Sequence, residues 1–340
     1  MTVSLAGLDA VVAESGFSGV VTVDVGEQRV LEHASGWAHR AHRVPTTPAT
    51  AFGTASGAKG FTALTVTGLV EAGVLALDQP VRAVLGDDLP LVDDAVTIEH
   101  LLAHTSGIGD YLDEDDDVDL DDHLMTAPTH TLTTSEAYLP MLEGLPQKFA
   151  PGERFSYCNS GYVVLAIVVE RVTGEAFPDV VRRLVLDPAE MRDSGYHRMD
   201  ELPAGVATGY LHATGDRVNT LHLPVWGSGD GGAFTTATDL HRFWRALFAG
   251  RIVSPSSVEL VVGHRTEVPG SAWGYGLGFW RHPSQDAVAL MGSDAGVSFR
   301  TTHVPGSALT ATVLGNTTRG AWPVVRLVSE ALPSWVAQTG

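Results

Sequence analysis

The chain has 340 residues, 44% of them apolar, and a formal net charge of −19. That length buries a large core as one large or two closely joined domains, and the charge argues against nucleic acid or anionic membranes as partners. A single cysteine, Cys158, excludes an internal disulfide and any multi-cysteine metal site.

The N-terminus, Met1-Thr2-Val3-Ser4-Leu5-Ala6-Gly7-Leu8-Asp9, has no basic n-region, so no signal peptide and a cytoplasmic location are expected. No apolar run is long enough to span a membrane. Residues 4–15 predict a helix. Two β-rich runs, 20–25 and 29–34, flank a Gly26-Glu27 turn and predict a hairpin.

Next comes Thr54-Ala55-Ser56-Gly57-Ala58-Lys59, which holds one of only two lysines in the chain. A serine and a lysine one helical turn apart face the same way, so the amine reaches the hydroxyl. A hydroxyl needs a base to become a nucleophile, and a desolvated lysine supplies one. Ser56 is therefore the candidate nucleophile and Lys59 its base. An apolar helix with Phe61, Leu64, Leu69 and Val70 follows and ends near Gly73. Ser56 is thereby placed at a helix N-terminus, where the dipole favours an alkoxide or oxyanion.

Residues 97–150 read as helical and loop-rich, with an acidic run at 113–122. Carboxylates are hard ligands for calcium or magnesium, but the glycine and ligand spacing of an EF-hand are missing. A solvated acidic loop, part of a lid after Tyr111, is expected in place of a cation site. Tyr157-Cys158-Asn159 then precedes an apolar helix at 162–172 closed by Gly174. In that turn Tyr157 is placed for proton transfer and Asn159 for orienting Lys59 and a substrate carbonyl. Cys158, between them, points the other way and reads as an inert thiol.

Thr236-Ala237-Thr238-Asp239 caps a helix running to Gly250. Beyond it, strands are expected at 273–281, 287–292, 297–304 and 308–315, and a last helix at 324–336 interrupted by Pro333. Strands at both ends with helices between predict an α/β (α+β) fold. Its antiparallel sheet is built from both chain termini and flanked by helices, with an inserted, mainly helical lobe. The reading is of a single catalytic domain, 1–340, with a sheet lobe at 1–55 and 251–340 and a helical lobe at 56–250.

Ser56-x-x-Lys59 and Tyr157-x-Asn159 together resemble the motifs of the serine β-lactamase and penicillin-binding-protein-like family. The resemblance is to the branch with class C β-lactamases, carboxylesterases and D-amino-acid peptidases, and runs from about Gly19 to Asn316. It also rests on Leu101-Leu102-Ala103-His104-Thr105-Ser106-Gly107, Pro151-Gly152, Gly229-Asp230-Gly231-Gly232 and Trp273-Gly274-Tyr275-Gly276-Leu277-Gly278. It implies a β-lactamase/transpeptidase-like fold and assigns His104 to a structural turn. Members carry a third motif, Lys-Thr-Gly or His-x-Gly, on the strand edging the site. Here that strand reads Leu290-Met291-Gly292-Ser293-Asp294-Ala295-Gly296. Ser293 is read in place of the cation and Ala295 in place of the glycine, with Asp294 adding negative charge. Ser293, Asp294, Ala295 and Gly296 are thus the expected substrate-binding residues, and the oxyanion hole is expected from the Ser56 amide and a strand amide near Gly296.

The resemblance implies a serine hydrolase that forms an acyl-enzyme with a small ester or amide, without metal or cofactor. A missing cation favours esterase over β-lactamase activity, because a carboxylate loses its charge-assisted contact. D-amino-acid peptidase, acyl transferase and a non-catalytic binding protein retaining the fold are the alternatives. Trp226, Trp273, Tyr275 and Phe299 are read by default as core aromatics, with cleft lining as the other reading.

Overall fold

A computed structural model describes residues 5–114 and 119–339, so the centre of the acidic run, 115–118, lies outside the described residues. Helix α1 spans Leu8–Ser15, later than the expected start. Strands β1 (Gly19–Val25) and β2 (Gln28–Ser35) form the expected hairpin. The C-terminal region supplies β3 (Thr266–Glu267), β4 (Gly274–Tyr275), β5 (Trp280–His282), β6 (Ala287–Asp294), β7 (Val297–Val304) and β8 (Leu309–Gly315). All join in one eight-stranded antiparallel sheet of order β2-β1-β8-β7-β6-β5-β4-β3.

The alternation of β1 sends its side chains into two cores. Val20 enters one, while Val21 and Val23 enter the other. Leu8 of α1 and Val324, Val328 and Trp335 of the last helix bury that second face. The opposite face is covered by helices from the middle of the chain. These are α2 (Lys59–Glu71), α3 (Asn159–Thr173) and α4 (Ala237–Phe248); the last helix, α5, spans Ala321–Thr339. Trp244 of α4 donates its indole N–H to Thr301 Oγ1 at 3.0 Å, and Phe243 meets Phe61 of α2 edge-on at 5.3 Å.

Helix α2 is buried on nearly every side, as a helix apolar all round must be. It lies directly on β6, where a Cβ on Gly60 would sit 2.5 Å from a Leu290 methyl. A small three-stranded sheet pairs Phe52–Gly53 with Ala233–Thr235, and the latter with Gly195–Tyr196. It ties the segment entering Ser56 to the Gly229-Asp230-Gly231-Gly232 loop.

Two further elements differ from expectation. The strand expected at 273–281 is broken into β4 and β5 by a turn in which the Gly276 N–H donates to the Phe279 carbonyl. Gly278 adopts φ +86 there. Helix α5 runs through Pro333, with Leu332 and Trp335 buried on either side of it. Among the described residues no helix is long and apolar enough to cross a membrane.

Candidate active site

Ser56 lies in a 3-10 turn, Ala55–Ala58, that leads into α2, and Lys59 is the first residue of that helix. Ala55 has φ +45, a left-handed conformation disfavoured for a side chain with a Cβ and found where a site holds backbone strain. The neighbouring glycines permit the close approach. A Cβ on Gly57 would collide with the Phe299 ring, and one on Gly292 would lie 2.6 Å from the Ser56 nitrogen. Strand β6 therefore presses its backbone against the turn holding Ser56.

Lys59 is almost wholly enclosed, at 1% exposed. Its Nζ lies 2.9 Å from Ser56 Oγ, 2.8 Å from Asn159 Oδ1 and 2.9 Å from the Asp230 carbonyl oxygen. The Asn159 side-chain nitrogen donates to the Leu112 carbonyl, which turns its oxygen toward the lysine. Both carbonyl oxygens only accept. The ammonium form donates to all three oxygens, whereas a neutral amine has two N–H groups, one for each carbonyl, and offers its lone pair to the Ser56 hydroxyl. Desolvation pulls the Lys59 pKa down, opposed by the negative charges of Asp230, Glu114, Asp110 and Asp294.

Tyr157 hydrogen-bonds the Ser56 side chain, and burial, with Glu114 adding to it, pushes its phenol well above the usual value. Tyr157 is thus protonated at rest. Its ring stacks on His104 at 4.2 Å and stands beneath the Lys59 amine, 4.9 Å from its centroid. His104 is buried, accepts the Cys158 N–H on Nδ1 at 3.0 Å and meets the Tyr275 hydroxyl with Nε2 at 3.3 Å. Burial lowers its pKa well below the usual range, so it is a neutral support under Tyr157. Asp110 fixes the start of α3 by accepting the Asn159 and Ser160 N–H groups at 2.7 and 2.8 Å. Cys158 Sγ accepts the Gly161 N–H, and burial raises the thiol pKa well above normal, which keeps it unreactive.

The remaining strand residues divide by the pleat. Leu290 and Gly292 face α2 and the Ser56 turn, so Asp294 shares their side of β6. Ser293 is on the other face, where its hydroxyl donates to the Thr318 carbonyl at 3.2 Å. Gly296 N donates to Thr318 Oγ1 at 2.9 Å, and Ala295 N to Asp294 Oδ1 at 2.9 Å. The amide expected near Gly296 is therefore already spent. The free amide lies further back on the strand. Asp294 and Val297 close the two-residue turn as a hydrogen-bonded pair, which makes Ser293–Ser298 the alternate, non-bonded pair. The Ser293 N–H then points to the outer edge of β6, which is unpaired beyond Ala289 and runs past Ser56.

The cleft above Ser56 has a volume of about 420 Å³. Tyr157 and Asn159 line it with Ser293 and Asp294, whereas Ala295 and Gly296 do not. Its aromatic walls are Tyr111, Tyr157, Trp280 and Trp322, and none of Trp226, Trp273, Tyr275 and Phe299 lines it. Tyr275 and Phe299 are buried, Trp226 packs against the main core and Trp273 against His282. Alternation in sequence carries no sign of which face is the cleft, which is why these were missed. The role of the Asp230 carbonyl was likewise invisible, because it depends on a contact 171 residues away. Among the described residues no group of three or more His, Cys, Asp or Glu side chains is placed to hold a metal ion.

Residues 8–328 match the Beta-lactamase family model. A penicillin-binding protein of Bacillus halodurans superposes with a TM-score of 0.89 at 35% identity, covering 96% of this chain and 99% of that one. Esterase EstB of Burkholderia gladioli is 31% identical over 312 residues, 79% of this chain and 76% of its own. The putative penicillin-binding protein PbpX of Bacillus subtilis is 28% identical over 274 residues, 79% of this chain. The chain spans 63% of the length of that relative.

Proposed function

The chain belongs to the β-lactamase family and is a serine hydrolase of that kind, and within it we propose an acyl-enzyme mechanism on Ser56 acting on small esters or amides. The observation that carries this reading is the buried Lys59 amine, held within hydrogen-bond reach of Ser56 Oγ by the Asn159 and Asp230 oxygens and shifted by burial toward the neutral form that can take up the hydroxyl proton. Lys59 takes the hydroxyl proton as Ser56 Oγ attacks the carbonyl carbon. The Ser56 and Ser293 N–H groups receive the developing oxyanion, each donor being typically worth about 3–4 kcal/mol of transition-state stabilisation. Tyr157, protonated at rest, gives its proton to the leaving group and recovers one from the Lys59 ammonium, which leaves Lys59 neutral again to activate the water that releases the acid.

Esterase or amidase action on a substrate without a carboxylate is favoured over penicillin turnover. Neither a lysine nor an arginine is among the described residues lining the cleft, while Asp113, Glu114, Asp230 and Asp294 are. A substrate carboxylate gains no charge-assisted partner there and meets like charge. Steady-state hydrolysis of p-nitrophenyl butyrate and of benzylpenicillin tests this. The ester should have a kcat/KM higher by several orders of magnitude, and efficient penicillin turnover would overturn the preference.

A further inference from the structure

The two oxygens that accept from Lys59 are themselves held by one short segment, Asp110-Tyr111-Leu112. Asp110 accepts the Asn159 backbone N–H at 2.7 Å, and the Leu112 carbonyl accepts its side-chain N–H at 2.9 Å. Between them, Tyr111 donates its hydroxyl to the Asp230 carboxylate and its backbone N–H to Ser160 Oγ at 3.0 Å. The segment therefore ties the start of α3 to the Gly229-Asp230-Gly231-Gly232 loop.

That loop is pressed against α2 and α3. A Cβ on Gly229 would fall 2.0 Å from the Tyr162 carbonyl oxygen. The Gly229 carbonyl accepts from Thr62 Oγ1 at 2.6 Å, and the Asp230 carbonyl accepts from Lys59, one turn earlier on the same face of α2. Both carbonyls thus point at α2, while Asp230 also lines the cleft.

Proton transfer at Ser56 needs only the Asp230 carbonyl, yet its carboxylate is buried there too, the residue being 8% exposed. A buried carboxylate is costly unless it is paired. Asp230 accepts the Tyr111 hydroxyl, which burial and the Asp230 charge keep protonated, and it forms no ion pair among the described residues.

We propose that the Asp230 side chain is a positioning residue for Lys59: anchored by Tyr111, it holds its own carbonyl against the amine and keeps a negative charge near it. This rests on the acyl-enzyme reading, in which Lys59 is the base. Of the charges acting on the amine, Asp230 is the strongest, ahead of Glu114, Asp110 and Asp294, and all four oppose the desolvation that lowers its pKa. The rings packed around the amine are neutral. Those of Tyr157 and Tyr162 lie 4.9 and 5.6 Å from Nζ, and burial keeps His104 uncharged. Loss of the Asp230 charge should therefore lower the Lys59 pKa further.

Lys59 and Lys148 are the only lysines in the chain, so lysine isotope-labelled at Cε gives two resonances, and Lys59→Ala shows which belongs to Lys59. In a pH titration of the full chain, Asp230→Asn should lower the Lys59 midpoint by at least about half a pH unit. Tyr111→Phe, which takes the donor from the carboxylate and so favours its protonation, should lower it in the same direction. An unchanged midpoint in both variants would overturn the proposal, and Tyr111→Phe decides alone if Asp230→Asn is not folded by circular dichroism. An asparagine oxygen still accepts from Tyr111, so kcat for p-nitrophenyl butyrate should fall less in Asp230→Asn than in Asp230→Ala. Equal losses would refute the hold on the carbonyl. The acid limb of kcat/KM should move with the Lys59 resonance. A resonance that shifts while the acid limb stays would keep the role of Asp230 and remove Lys59 as the base.

Discussion

Lys59 Nζ stands 2.9 Å from Ser56 Oγ, and the amine's other two neighbours, Asn159 Oδ1 and the Asp230 carbonyl, can only accept hydrogen bonds. Burial favours the neutral amine, whose two N–H groups can serve those acceptors while its lone pair faces the serine hydroxyl. A guanidinium cannot reproduce it, since it has no lone pair to offer at working pH. Lys59→Arg should therefore lose nearly as much kcat/KM as Lys59→Ala, with acylation slowed by about 10²–10⁴ in both. Substantial activity in the arginine variant would mean that only a positive charge is needed.

The same burial gives the pH dependence a sign. Lys59 works as a base when deprotonated, and desolvation shifts its pKa downward from the lysine value of 10.5. Activity should fall as pH drops through that lowered pKa and reach its plateau below the ordinary lysine range. A pH profile of kcat/KM that rises only above pH 10 would contradict a lowered Lys59 pKa.

Tyr157 is expected to matter most when the leaving group needs a proton. A p-nitrophenolate departs without one, whereas an alkoxide does not. Tyr157→Phe should consequently reduce turnover of ethyl butyrate by a larger factor than turnover of p-nitrophenyl butyrate. Equal losses on both would confine the tyrosine to positioning Ser56.

Gly292→Ala tests the contact between β6 and the nucleophile turn. A Cβ there would lie 2.6 Å from the Ser56 nitrogen and closer still to the Thr54 carbonyl oxygen, both backbone atoms that cannot rotate aside. The turn or the strand must shift. Overpacking of this kind costs about 1–3 kcal/mol, and a displaced Ser56 also loses its alignment with Lys59. Denaturant unfolding and kcat should both decline.

Asp294 carries a stability prediction as well. Burial pushes its pKa up to about 7 from 3.8, opposed by the Ala295 N–H and raised further by Asp230. Between those values the folded chain holds a proton that the unfolded chain has lost, so stability falls as pH rises from about 4 through 7. Asp294→Asn has no such penalty. Its thermal midpoint should exceed that of the unmodified enzyme at pH 8, with the gap closing toward pH 4. A gap independent of pH would show that Asp294 titrates normally.

How much of this was legible in sequence depends on how far apart the partners lie. Ser56 and Lys59 are one turn apart, and Tyr157 and Asn159 flank a helix start, so local spacing was enough to group them. The hairpin at β1 and β2 and the sheet built from the two ends were readable from alternation and turn residues. The strand motif was not. Which amide of β6 is free depends on the closing pair of its hairpin with β7, and this moved the open N–H from the region of Gly296 to Ser293. The Asp230 carbonyl gains its significance from a contact across the chain that no local pattern encodes. The broken strand at 273–281 had a signal in Gly276 and Gly278, which permit the turn between β4 and β5.

The central claim is that Ser56 becomes acylated, and covalent labelling tests it most directly. Intact-mass spectrometry after incubation with a fluorophosphonate should show a single adduct, and peptide mapping should place it on Ser56. Ser56→Ala, folded by circular dichroism, should take up none. Labelling of another residue, or undiminished labelling in Ser56→Ala, would contradict the account.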